Sequence, residues 1–434
     1  MKRRTFIRTA LAAGVGAALV PFRSRAAEAA AAVEQAHAEL WRRFIDAHGV
    51  MIDFTGLDGA VTLPTPEECR AGKPNALGWY QPIENGAMFD GMYMDAAVNR
   101  WRHTKTADDA AKARRLMEGL LFLASISEVK GFVGRGVSTD GRSHFAMGSD
   151  DQTLPWFLGL WRYLDAGLAT PQERGRIAAK LVETAEVIVG LGWRMPAEAP
   201  FGTRGSFAGT AFGKLVRRLF VMRMMSAVTG DAKWAAMYRE TLGQRGGKDG
   251  ATALDTCGGG MVFEPGRVHN WTSCSEAAAL RGLWELEPDE AVKAVFFREL
   301  QASARLAAES LPLAARFDAG DPSTFSLDWR KAMLPLWTPQ QTEQEAQALA
   351  DRQVREFLKL SPRRGKETAF VREPTSAAWI VTLCPDVDLV KQHAAAIERV
   401  IVRYDYSKLY YCTFFWVESA WWRLKDAGFQ GLDK

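Results

Sequence analysis

The chain has 434 residues, 47% of them hydrophobic, with 15 tryptophans and a formal net charge of +4. This composition suits a well-packed globular protein and excludes a disordered or collagen-like one. Lys2, Arg3, Arg4, Arg8, Arg23 and Arg25 supply six positive charges within the first 26 residues, where no acid occurs; without them the net charge is −2, so nothing argues for a nucleic-acid partner.

Residues 1–26 read as a twin-arginine export signal. Arg3-Arg4-Thr5-Phe6 precedes an apolar run from Ala10 to Val20, and small residues at Ser24 and Ala26 offer a cleavage site. The run is well short of the roughly 20 residues that cross a bilayer, so no membrane span is expected. Residues 27–434 are expected to be one periplasmic or secreted catalytic domain. Cys69, Cys257, Cys274, Cys384 and Cys412 are an odd, widely spaced set without a C-x-x-C motif, which favours buried free thiols over a disulfide scaffold.

Beyond the leader, a pattern of helix, short turn and helix recurs. MFDGMYMDAAVNRW turns at HTKTADD into AAKARRLMEGLLFLASI. LPWFLGLWRYL turns at DAGLATPQE, GKLVRRLFVMRMMSAV at TGD, and SEAAALRGLWEL at EPD. LDWRKAMLPLW turns at TPQ, and TSAAWIVTL at CPD. Thr, Asp and Pro at these turns are N-cap and first-turn signals. The first helix of each pair is apolar nearly all round, and the second carries Lys, Arg and Glu at helical spacing. An apolar helix belongs inside and an amphipathic one outside. The expected fold class is therefore all-α, an (α/α)6 toroid of helical hairpins. Residues 29–48 and 412–426 form a candidate seventh pair that would close it; an open solenoid is the competing architecture.

Connections from outer to inner helices are long, as in 127–150, 193–207, 243–271 and 359–374. In an antiparallel array they share one face with the N-termini of the inner helices, and long loops in a compact domain usually carry function. Polar and aromatic residues gather there. Asp150-Asp151 is the sharpest local signal: one carboxylate can cap the helix while the other points into the mouth as a general acid. The alternative is that both are ordinary first-turn acids. Glu84, before the helix that opens at Asn85, is the natural second carboxylate. His144, His269 and Tyr410 are further acid/base candidates. Arg135 and Arg204 stand in glycine-bracketed loops and match a substrate carboxylate. Asn85, Gln152 and Asn270 can bond hydroxyls, and Trp156 and Trp271 can stack on a sugar ring. No spacing of ligands suggests a metal, and no phosphate-binding loop or dinucleotide fingerprint suggests a cofactor.

The entrances IENGAMFDGMYMDA, GVSTDGRSHFAMGSDDQTLPWFLGLWRY and RVHNWTSCSEAAALRGLWEL resemble those of bacterial six-hairpin glycosidases. The nearest in character are the unsaturated glucuronyl hydrolases and β-glucuronidases of that fold. The resemblance implies acid/base catalysis by aspartates or glutamates at inner-helix ends, here Asp150 and Asp151. The expected function is a glycoside hydrolase acting on an acidic, uronate-containing oligosaccharide or polysaccharide. Two alternatives stay open: a polysaccharide lyase eliminating at a uronate through His144 or His269 with Tyr410, and a non-catalytic saccharide-binding toroid.

Overall fold

The computed structural model describes residues 25–260 and 270–428. The expected export signal up to Ser24, His269 and the side chain of Trp271 lie outside the described residues.

The described chain is mostly helical, as the repeat pattern predicts. In chain order its longer helices are α1 (Arg25–Glu39), α2 (Gly86–Thr104), α3 (Ala107–Leu123), α4 (Asp150–Asp165), α5 (Pro171–Gly190), α6 (Phe212–Thr229), α7 (Ala232–Gly243), α8 (Asn270–Leu286), α9 (Glu290–Ala308), α10 (Glu343–Leu360), α11 (Glu373–Thr382), α12 (Val387–Ile401) and α13 (Trp416–Asp426). A short antiparallel ribbon, β1 (Arg194–Pro196) and β2 (Thr203–Ser206), interrupts them. The turn residues act as caps. Thr106, Thr170, Asp231, Asp289 and Asp386 each accept a bond from a backbone N–H in the first turn that follows. None of the described helices is long and apolar enough to cross a membrane. All five cysteines are buried free thiols.

Contacts between the apolar helices pass from α2 to α4, α6, α8, α11 and α13, and α13 packs on α2. The amphipathic helices lie against them: α3 on α2 and α4, α5 on α4 and α6, α9 on α8 and α11, α12 on α11 and α13, and α1 on α13. Two departures from the expected hairpins stand out. The fifth inner helix, expected over residues 327–337, is the five-residue helix Trp329–Met333 followed by a 3-10 turn. Pro335 has no N–H to donate and ends the run. Its partner α10 packs on that short helix and on Pro362–Glu367, while α8 packs directly on α11. The terminal pair, α13 with α1, takes its place in the series.

Far from the helix entrances, a buried ionic knot ties the apolar helices together. Asp95 of α2 accepts two 2.6 Å bonds from Arg423 of α13 and a 3.0 Å bond from the Trp379 indole of α11. Arg162 of α4 lies 3.5 Å from Asp95 and bonds Glu285 of α8, which also holds Arg281. Burial is the largest influence on Asp95 and works against its charge, but Arg423 and Arg162 hold its carboxyl below the ordinary range.

Helices α2 and α4 cross at Gly91 and Gly159. A Cβ on Gly91 would stand 2.0 Å from the Pro155 carbonyl, and one on Gly159 would stand 2.7 Å from the Gly91 Cα. Backbone cannot yield as a side-chain end can. Gly91→Ala is therefore expected to cost about 1–3 kcal/mol, read as a lower urea midpoint with an unchanged slope.

Candidate active site

The segments that precede the inner helices are bonded to one another, so distant parts of the chain meet. Asp53, before α2, accepts from the Asn85 N–H and side-chain amide at 2.8 and 2.7 Å, and its own carbonyl accepts from the Cys412 N–H ahead of α13. Arg135, before α4, donates to the Glu84 carbonyl; Arg204, before α6, donates to the Gly148 carbonyl. Glu373, which opens α11, accepts from the Asn270 N–H of α8.

Two carboxylates, Asp53 and Glu84, share the α2 entrance with a guanidinium. Glu84 accepts from the Tyr80 N–H at 2.8 Å and from Arg364 at 3.3 Å. Tyr80 carries φ +61°, a left-handed conformation costly for an aromatic residue, and the Glu84 bond helps hold it there. Arg364 is buried among the rings of Tyr80, Phe54, Tyr411 and Phe357, at 4.2 to 5.7 Å from their centroids. Burial raises the pKa of both carboxylates, and the charge of Glu84 adds to the rise at Asp53. Arg364, the Tyr80 N–H and Arg135 oppose the rise at Glu84, while the charge of Asp151 adds to it. Both are buried, Asp53 at 0% and Glu84 at 8% exposure.

The second cluster lines a cavity of about 330 Å³ between the N-termini of α4 and α6 and the side of α8: Asp150, Asp151, Arg204, Lys214, Arg217 and Glu276. Asp150 accepts from Lys214 and Arg217, both at 2.7 Å. Burial pushes its pKa up, but Arg217, Lys214 and Arg204 outweigh burial and hold it low. Asp150 is thus a fixed anion and not a proton donor. Arg217 also holds Glu276. Asp151 keeps a buried oxygen, Oδ1, without a hydrogen-bond partner, 3.7 Å from Arg135 Nη2.

Several residues read from sequence as substrate contacts do other work. Arg135 spends its three nitrogens on the Met147 carbonyl, the Glu84 carbonyl and Ser149 Oγ, which makes it a staple between two entrances. Asn85 and Gln152 bond each other, and Gln152 also accepts from the Met88 N–H; these buried amides fix α2 against α4. Trp156 is 0% exposed and donates to the Leu120 carbonyl of α3, so it is core and not a stacking platform. His144 uses both ring nitrogens, on the Arg142 carbonyl and on Glu198. Burial alone would lower its pKa, but the bonds to Glu198 and the Arg142 carbonyl raise it. Tyr410 stacks on Phe325 at 4.8 Å, and the Asn270 side chain donates to Ser310.

The chain matches no family model, no curated protein and no solved structure. The candidate site therefore stands on its geometry. A larger groove of about 710 Å³ lies between α9 and α12, lined by Leu311, Ala396 and Val400 among others; no carboxylate lines it.

Asp53, Arg364, Lys214, Arg217 and Glu276 are the site residues that sequence reasoning missed. Lys214 and Arg217 left one usable signal: they put two cations a turn apart near the start of an inner helix, where a buried charge needs a partner. Arg364 and Asp53 left none, because Arg364 meets Glu84, 280 residues away in the chain, and Asp53 meets Asn85, 32 away, only once the chain is folded.

Beside this site Glu367 is buried, accepting from the Tyr410 and Tyr411 N–H groups and from Arg363. Burial is the dominant influence and raises its pKa from 4.5 to about 7. A raised carboxyl pKa favours the folded state at low pH: the contribution is full below about 4.5 and is lost as pH rises through about 7. Glu367→Gln removes that titration. Its stability relative to the parent is expected to improve by up to about 3 kcal/mol between these limits, measured by urea unfolding across pH.

Proposed function

We propose that this chain is an exported carbohydrate-active enzyme, an (α/α)6 toroid that hydrolyses glycosidic bonds in an acidic, uronate-containing oligosaccharide or polysaccharide. The return of helix contacts from α13 to α2 supports the toroid, and the twin-arginine pattern supports a periplasmic or secreted site of action. The observation that carries the chemistry is the approach of Glu84 and Asp151 to one guanidinium, that of Arg135. They come from the entrances of neighbouring inner helices, each lies against Arg135, and the charge of Asp151 bears on the Glu84 proton. Glycoside cleavage asks for one carboxyl that holds a proton and one that does not. Glu84, raised by burial, is the proton donor to the leaving oxygen. Asp151, which lines the cleft, takes the proton of the attacking water or faces the anomeric carbon. Arg364 holds Glu84 in place, and Asp150 anchors α4 to α6.

A lyase is less well served by His144, which has no ring nitrogen to spare; Tyr410 stacks on Phe325, and His269 lies outside the described residues. The test is incubation with a panel of uronate-containing oligosaccharides. New reducing ends without the ultraviolet absorbance of a C4–C5 double bond support hydrolysis. That absorbance would make the chain a lyase, and binding without turnover would make it a saccharide-binding protein.

A further inference from the structure

We infer that the cleft between the N-termini of α4 and α6 is an oxyanion subsite, which takes a carboxylate or sulfate group carried by the sugar. The carrier's identity rests on the hydrolase reading; the anion site does not. Arg204 points to it first. The residue is only 7% exposed and lines the cleft, yet its Nε has no hydrogen-bond partner. Its Nη1 is used by the Gly148 carbonyl, and the nearest carboxylate, Glu343, is 3.9 Å away, beyond hydrogen-bond reach. A buried guanidinium with an unused donor is costly unless a ligand supplies the acceptor.

The surroundings fit an oxyanion. α6 is 18 residues long and starts after Ala211, which has no side chain to cap it, and Gly213 in its first turn lines the cleft. The positive end of that helix faces the same space as Arg204. The acids of the cleft do not oppose an incoming anion equally. Asp150 is taken by Lys214 and Arg217, and Glu276 by Arg217. Asp151 stands 3.7 Å from Arg135, and its Oδ1 is buried without a hydrogen-bond partner. The backbone is built to this end: a Cβ on Gly205, which has φ +73°, would stand 2.6 Å from Asp150 Oδ1, so only glycine lets β2 lie close enough to present Arg204. Asp151 belongs both to this cleft and to the pair with Glu84, so an anionic substituent held here would set the sugar beside the proposed acid and base.

The test is direct binding to the full mature protein of inorganic sulfate, glucuronate and glucose, by calorimetry and by thermal shift, with ionic strength matched by chloride. Sulfate or glucuronate is expected to bind and to raise Tm, and glucose to do neither. Arg204→Gln is expected to weaken the anion about tenfold or more, and Lys214→Gln by less. If Arg204→Gln does not fold, Arg204→Lys keeps the charge without the planar fork and is expected to fall between the two. The stronger of the two anions identifies the substituent as a sulfate or a carboxylate. Absence of anion binding in the parent, or equal binding by Arg204→Gln, would overturn the subsite. Cleavage of glycosides without anion binding would remove the subsite and leave the hydrolase reading; anion binding without cleavage of any glycan would do the reverse.

Discussion

Asp95→Ala is expected to lower stability by about 3–5 kcal/mol, the largest single effect of any substitution away from the entrances. The carboxylate takes both bonds of the Arg423 guanidinium, the Trp379 indole N–H and the charge of Arg162. These partners arrive from α13, α11 and α4, so one side chain of α2 satisfies groups on three other helices. Truncation leaves two buried guanidinium groups without their shared anion, and neither can reach water without opening the packing between helices. Urea unfolding at neutral pH, followed by circular dichroism, gives the number. Asp95→Asn keeps the shape and one acceptor and is expected to lie between parent and alanine. The knot as a whole is not required for stability, since a well-packed apolar replacement of all its members can equal or exceed it. What the knot imposes is register: each helix must present its charge at one depth. A loss below about 1 kcal/mol for Asp95→Ala would mean that the charges are solvated and hold nothing together.

The same comparison shows where the chain is legible and where it is not. Inner and outer helices differ in composition because one is surrounded by protein and the other faces water, and that difference is local enough to read. Pro335 shows the limit. LDWRKAMLPLW has the apolar content of an inner helix, but the proline ends it after Met333, and the chain leaves the series of packed helices to lie over the entrances as α10. Ala346 and Ala350 of α10 pack with Leu77 and Met147 from the α2 and α4 entrances. Within the site, residue type was readable and direction was not. Trp156 follows Asp151 by five positions, which on an α-helix turns it about 140° away. Asp151 lines the cleft while Trp156 meets the Leu120 carbonyl of α3 on the far side. Asn85 and Gln152 carry the amides a sugar would use, yet they face each other across two neighbouring helix entrances. Asp150 illustrates a different gap. Its place at a helix start is visible in the sequence, but its protonation state depends on Lys214 and Arg217, more than 60 residues further on.

Glu84→Gln is expected to reduce kcat on an acidic oligosaccharide by about 10²–10⁴-fold with little change in the thermal midpoint. Glutamine keeps an acceptor for the Tyr80 N–H and for Arg364, so the strained turn at Tyr80 survives while the transferable proton is lost. Asp151→Asn is expected to fall in the same range, because an amide cannot accept the proton of water or stabilise positive charge at the anomeric carbon. The two variants differ in their pH profiles. Burial raises the Glu84 pKa, so with Glu84 as the proposed acid the parent is expected to be active while that proton is held and to lose activity as pH rises through the raised value. Glu84→Gln abolishes this alkaline limb in its residual rate; Asp151→Asn keeps it. Removing Asp151 also removes a negative charge that props up the Glu84 pKa, so the limb in Asp151→Asn is expected to move to lower pH. That displacement shows that the two carboxyls stand close enough to interact, while the fall in kcat at an unchanged thermal midpoint tests whether Asp151 acts on the bond. Undiminished turnover by Glu84→Gln would take the proton donor elsewhere in the mouth. An Asp151→Asn limb that stayed in place would mean that the Asp151 charge does not bear on the Glu84 proton, and an undiminished kcat would remove Asp151 from the reaction.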